Sequence, residues 1–137
     1  TIDDRLYSSI DSGLVVLLGI HEDDATEDVS WLASKIAQMR IFSDSEGKMN
    51  LSAQDINGSI MVVSQFTLHA STKKGNRPSF IEAARPEVAI PLYESFVKEI
   101  ADLFPNKTAT GSFGADMKID LTNDGPVTII IDSKQKV

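Results

Sequence analysis

Two short apolar runs, each followed by a longer stripe at helical spacing, restrict this chain to a sheet with helices packed on it. Leu14-Val15-Val16-Leu17-Leu18-Gly19-Ile20 is continuous, rich in valine and leucine, and short for a helix. It reads as a central strand buried on both faces. Ile60-Met61-Val62-Val63 opens a second strand that runs from Ser59 to Leu68. Between the two, Val29, Leu32, Ala33, Ile36 and Met39 recur at the spacing of one helical face. Asp24 precedes that helix, and Glu27 three residues on completes a capping box. Trp31 lies off the stripe, and Asp44-Ser45-Glu46-Gly47 is a turn. Pro91 suits the first position of a second helix, whose inner stripe is Leu92, Phe96, Ile100 and Leu103. Strands and helices are interspersed, so the class is α/β or α+β.

The chain of 137 residues suffices for one domain over 1–137 with a substantial core. No apolar run approaches the eighteen or so residues a membrane-spanning helix needs, and no secretory signal is visible. Cysteine is absent, which excludes thiolate catalysis and cysteine-based zinc sites and fits a reducing cytoplasm. A net charge of −7 argues against indiscriminate nucleic-acid binding. The one dense basic segment is Lys73-Lys74-Gly75-Asn76-Arg77, in a polar loop from Ser71 to Ser79. The opening, Thr1 to Leu6, reads like the second half of a hairpin.

Lys118-Ile119-Asp120-Leu121 alternates polar and apolar, and Val127-Thr128-Ile129-Ile130-Ile131 is a β-branched run, so both are expected to be strands. Gly125-Pro126 lies between them. Proline has no N–H for a ladder and belongs where a strand begins or where the backbone faces something other than a strand. An X-Pro bond is cis at a cost of only about 0.5–1 kcal/mol. Asn-Asp-Gly-Pro is equally an ordinary turn sequence.

Conventional catalytic equipment is thin. His21 and His69 are the only histidines and lack metal-ligand spacing. There is no phosphate-binding loop, no dinucleotide fingerprint and no nucleophile elbow. Ser64-Gln65-Phe66-Thr67-Leu68 differs, because hydroxyls and an amide stand at the end of an apolar strand. In a pleated strand Gln65 and Thr67 point to one side, where they share a polar pocket able to orient a carbonyl or an amine. The alternative is a strand end satisfied by its own hydrogen bonds. With no base beside them in sequence, orientation and backbone N–H donors would matter more than a side-chain base.

Taken with Asn123-Asp124-Gly125-Pro126-Val127-Thr128, that segment resembles the signature of the D-aminoacyl-tRNA deacylases, also called D-tyrosyl-tRNA deacylases. The resemblance extends through Arg40-Ile41-Phe42, Gly47-Lys48-Met49-Asn50, Arg77-Pro78-Ser79-Phe80 and Phe113-Gly114-Ala115-Asp116-Met117, and covers the chain from Gly13 to Asp132. It implies an α/β fold of mixed β-sheets forming a barrel-like core with two main amphipathic helices packed on it. It also implies a cytoplasmic homodimer that hydrolyses the ester between a D-amino acid and the acceptor end of tRNA, with no metal and no cofactor.

By that resemblance the Gly125-Pro126 peptide is cis and enters the partner's active site. There its carbonyl oxygens receive the substrate ammonium and leave no room for an L side chain, a rejection by clash. Thr67 stands at the position once favoured as nucleophile. A neutral threonine with no adjacent base is a poor one, so a positioning role is preferred, with water attacking with help from the ribose 2′-hydroxyl. Ser64, Gln65 and Phe66 would shape the pocket. Phe80, Phe113 and Met117 would enclose the terminal adenine or, alternatively, pack in the core. Lys73, Lys74 and Arg77 would reach acceptor-stem phosphates or simply be solvated. Members of the family usually begin with a further strand, so additional N-terminal residues are expected. Two alternatives remain open: a non-catalytic tRNA-binding or dimerisation module, and a hydrolase clearing glycine or L-alanine from the wrong tRNA.

Overall fold

The computed structural model describes residues 1–137. Strand β1 (Gly13–Leu18) leads to helix α1 (Thr26–Gln38), then a hairpin of β2 (Phe42–Ser43) and β3 (Met49–Leu51). Strand β4 (Ser59–Ser64), a 3-10 turn (Phe66–His69), helix α2 (Pro86–Leu103) and strand β5 (Thr108–Thr110) follow. The main sheet is parallel, in the order β1-β4-β5. Two successive crossovers step the same way across it, so right-handed connections put both helices on one face. α1 and α2 accordingly pack against each other. The sheets are open at their edges and do not close into the expected barrel-like core.

The core lies between the helices and one face of the sheet. Register pairs Leu14 with Ile60 and Val16 with Val62, and these side chains meet Val29, Ala33 and Ile36 of α1 and Tyr93, Phe96 and Ile100 of α2. The central strand is therefore β4, with Ile60 and Val62 fully buried, and not β1 as its apolar run suggests. β1 is an edge strand, and Leu17 on its other face is 44% exposed. A continuous apolar run reports low polarity, whereas the number of neighbours is set by topology. The start of β1 also depends on glycine. A Cβ at Gly13 would lie 1.8 Å from the Ser59 carbonyl oxygen, so no larger residue allows this register.

Both helix starts differ from expectation. Ala25, not Asp24, flanks α1, and Asp28 rather than Glu27 reaches back to accept its N–H at 2.9 Å. Asp24 instead accepts the His21 N–H in the preceding turn. In α2 the first position is Pro86, and Pro91 lies inside the helix. The earlier start extends the inner stripe by Ala89 and Tyr93 ahead of Phe96 and Ile100, while Leu103 in the last turn is left 38% exposed and Phe104 beyond it is buried. The Asp44 turn is as expected, its carboxylate accepting the N–H groups of Glu46 and Lys48. Arg40 donates to Asn50 through both backbone and side chain, tying the two limbs of the hairpin.

Lys118–Leu121 and Val127–Ile131 form no ladder, and Ile130 is 92% exposed. Lys118 alone is paired, exchanging backbone hydrogen bonds with Thr1 at 2.9 and 2.8 Å. Strand patterning marks residues suited to a sheet, but a ladder also needs a backbone partner, and residues 119–131 have none. The opening likewise folds on itself, Ile2 and Arg5 exchanging two backbone hydrogen bonds.

Asp28 also anchors the C-terminal tail. Its carboxylate accepts from Lys134 Nζ at 3.0 Å, while Lys136 Nζ stands 4.8 Å from the centre of the Trp31 ring. Burial acts to raise the Asp28 carboxyl, but the Ala25 N–H, Lys134 and Ser133 outweigh it and hold the group below its usual 3.8. Ionised Asp28 thus favours the folded state. That contribution is complete above 3.8 and is lost as pH falls through the lowered folded value. Asp28→Asn is expected to flatten the acid limb of the stability curve. Asp28→Ala should cost about 0.5–2 kcal/mol in urea unfolding at neutral pH, the size of a lost helix cap.

Candidate functional site

The chemistry-bearing segment begins where β4 ends. Ser64 is the last residue of the strand, and the chain then turns into a 3-10 helix instead of continuing pleated. Alternation is therefore not what brings Gln65 and Thr67 together. The Gln65 N–H donates to the Leu18 carbonyl at 2.8 Å, which carries the strand pairing one residue past Ser64. The next turn folds Thr67 back, and Gln65 Nε2 donates to Thr67 Oγ1 at 2.5 Å. Phe66 and Thr67 begin the turn, so their N–H groups have no acceptor within it. Close packing of this turn depends on Gly19, where a Cβ would stand 3.1 Å from the Gln65 carbonyl and 3.2 Å from Leu68 Cβ.

No carboxylate or imidazole is hydrogen-bonded to Thr67, and its hydroxyl is engaged by the amide. A threonine so placed lacks the base a nucleophile needs. His69 belongs to the same turn, but its ring packs edge-on against His21, 5.4 Å between centres. His21 Nδ1 accepts the Asp23 N–H. The arrangement suits orientation of a polar substrate group beside free backbone donors, with no proton acceptor built in.

The aromatic candidates separate into two groups. Phe80 meets Phe66 edge to face, ring centres 5.2 Å apart, and both are exposed beside the turn. Phe113 instead packs on Tyr93 at 5.5 Å, against the core. Tyr93 is itself buried and donates to the Val62 carbonyl at 3.3 Å; burial, with Tyr7 nearby, raises its hydroxyl above the usual range. Met117 is half-buried, bridges to Ile2, and fills the space that a side chain at Gly111 would need. Phe113 and Met117 thus make packing contacts and are partly buried, while Phe66 and Phe80 offer exposed ring surface.

The basic loop is attached to the same place. Ser71 and Ser79 bridge its two ends, one just after His69 and the other just before Phe80. Lys73, Lys74 and Arg77 are exposed on it and form no ion pair. Gly125 and Pro126 are also exposed, joined by a cis peptide, and make no hydrogen bond to the Gln65–Thr67 turn of their own chain. Sequence reading missed Asn123, whose side chain bonds to Val127 and Thr128 across the loop. The available signal was an Asn five residues before a hydroxyl, with Gly-Pro between. Gly19 was hidden inside an apolar run.

A family model described as D-Tyr-tRNA(Tyr) deacylase matches residues 1–132. A D-aminoacyl-tRNA deacylase of Akkermansia muciniphila is 62% identical over 128 residues, covering 93% of this chain and 85% of the relative. One from Cytophaga hutchinsonii is 62% identical over 135 residues, covering 98% and 90%. Among solved structures, the c-Myc DNA unwinding element binding protein superimposes with a TM-score of 0.89 at 38% identity, covering 94% of this chain and 87% of that one. A probable eukaryotic D-amino acid tRNA deacylase shares the fold at a TM-score of 0.60 and 16% identity, covering 74% of each chain. With a family model matched over residues 1–132 and relatives 62% identical over nearly the whole chain, the chain belongs to the D-Tyr-tRNA(Tyr) deacylase family.

Proposed function

We propose that this protein hydrolyses the ester linking a D-amino acid to the 3′ end of tRNA, releasing free D-amino acid and tRNA. The observation that carries this reading is a turn joining Gln65 to Thr67 without a base, in a chain with deacylase relatives at 62% identity. Water attacks the ester carbonyl, the bond to the ribose oxygen breaks, and that oxygen takes the proton. The substrate's vicinal hydroxyl assists the water, which is why the site needs no side-chain base. Thr67 and Gln65 orient the aminoacyl group, Ser64 shapes the floor, and backbone N–H groups of the turn receive the developing oxyanion. Phe66 and Phe80 hold the terminal adenine, and Lys73, Lys74 and Arg77 reach the phosphates behind it.

The selecting element is the Gly125-Pro126 loop of a second copy. Its carbonyl oxygens accept the substrate ammonium and occupy the space of an L side chain. Exposed Leu121, Ile129 and Ile130 on either side of the loop support a homodimer, since exposed apolar patches mark contact surfaces. Within that dimer the open sheet edges gain neighbours, which is how the mixed sheets reach a barrel-like core. The site of action is the cytoplasm, where charged tRNA is used, and one domain over 1–137 carries the activity.

Release of amino acid from D-Tyr-tRNA, L-Tyr-tRNA and Gly-tRNA tests the reading. Cleavage of the first with sparing of the second is expected; no cleavage of D-Tyr-tRNA refutes it. Thr67→Ala is expected to keep substantial turnover, with the loss chiefly in KM. Loss of turnover at unchanged tRNA binding would make Thr67 the nucleophile.

A further inference from the structure

Residues 119–131 enter no backbone-to-backbone hydrogen bond. Two hydrogen bonds hold this stretch, and both come from one side chain. Asn123 Oδ1 accepts the Val127 N–H at 3.0 Å, and Asn123 Nδ2 donates to Thr128 Oγ1 at 2.9 Å. The first bond closes a ring around Asp124, Gly125 and Pro126. The second ties the same planar amide to the residue beyond. With acceptor and donor both engaged, the amide cannot turn without breaking a bond, so it sets the separation of the loop's two limbs. Asparagine supplies both an acceptor and a donor at this length. Asn123 and Thr128 are exposed and bury nothing in the core, so the effect of the clamp falls on loop geometry rather than on global packing.

We propose that Asn123 and Thr128 are positioning residues for stereochemical selection, fixing the direction in which Gly125 and Pro126 present their carbonyl oxygens. Neither touches substrate. The inference rests on the reading that this loop sorts D from L substrates, and it identifies the side chains that aim it.

The test compares wild type with Asn123→Ala, Thr128→Val and Thr128→Ser, using D-Tyr-tRNA and L-Tyr-tRNA and monitoring the Val127 amide by hydrogen exchange. Asn123→Ala should lower the D/L ratio of kcat/KM roughly tenfold, the scale of two lost hydrogen bonds. Its Val127 amide should exchange faster, while the thermal midpoint stays unchanged. Thr128→Val loses only the Thr128 bond and should lower the ratio roughly threefold. Combined with Asn123→Ala it should lose no more than Asn123→Ala alone, because the alanine has already removed that interaction. Thr128→Ser should restore the ratio. An Asn123→Ala protein that discriminates as well as wild type overturns the inference alone. A wild type without D/L preference overturns the loop as selector, and the inference with it.

Discussion

Gly125→Ala is expected to collapse the preference for D over L substrate while leaving the melting temperature close to that of wild type. Gly125 has φ +131°, a region that side-chain-bearing L residues rarely enter. A Cβ there would also stand 2.9 Å from Val127 Cγ2. Alanine must therefore either accept about 1–3 kcal/mol of backbone strain or move the loop. Moving it redirects the carbonyl oxygens on which the proposed selection depends. The strain converts to a loss of roughly five- to a hundredfold in the D/L ratio of kcat/KM. Global stability is insulated, because the loop is exposed and contributes nothing to the buried cluster. Parallel kinetics on both tRNA esters, with a thermal melt of the same sample, separates the effects. An unaltered ratio would remove Gly125 from the selecting element, and a large fall in melting temperature would show that the loop supports the fold.

The largest effect on stability is expected at Phe96. This side chain is 1% exposed and sits on α2 amid the buried cluster of both helices and β4. Truncation to alanine leaves a cavity that close-packed neighbours cannot fill, at a cost of about 3–5 kcal/mol. Domains of this kind have only about 5–15 kcal/mol in total, so Phe96→Ala should be marginally folded or unfolded at physiological temperature. Leu103→Ala is the informative control. The spacing of apolar residues in the sequence places Leu103 on the same stripe, but it is 38% exposed in the structure. Its loss should therefore be about 1 kcal/mol or less, in keeping with a half-exposed side chain. Urea unfolding of both variants decides the matter, and equal losses would contradict the observed exposure of Leu103.

Local signals were strong enough to read from the chain itself. The two amphipathic helices, the strand at Ile60 to Val63 and the Asp44 turn depend on neighbours within a few residues, and all four formed, although the starts of both helices and the exposure of Leu103 differ from expectation. Gln65 and Thr67 were also legible as a pair, though for the wrong geometric reason, since a 3-10 turn joins them. Phe113 and Met117 show the limit of composition. An aromatic or thioether side chain fits a ligand pocket and a core equally well, and only the structure shows that Phe113 meets Tyr93 and that Met117 fills the space beside Gly111.

Long-range facts were out of reach of the sequence. Whether β1 or β4 is central depends on how many strands flank each, and both runs are equally apolar. That residues 119–131 have no backbone partner depends on the absence of a strand to pair with, which residue patterning does not encode. The Asn123 clamp needed the loop's closure to bring an amide onto Val127 and Thr128. Side-chain chemistry and periodicity are written residue by residue, so the chain alone determines what each segment is suited to become. Which segments then touch is settled by chain closure and packing over distances no local pattern spans, and that is where the tertiary structure decided.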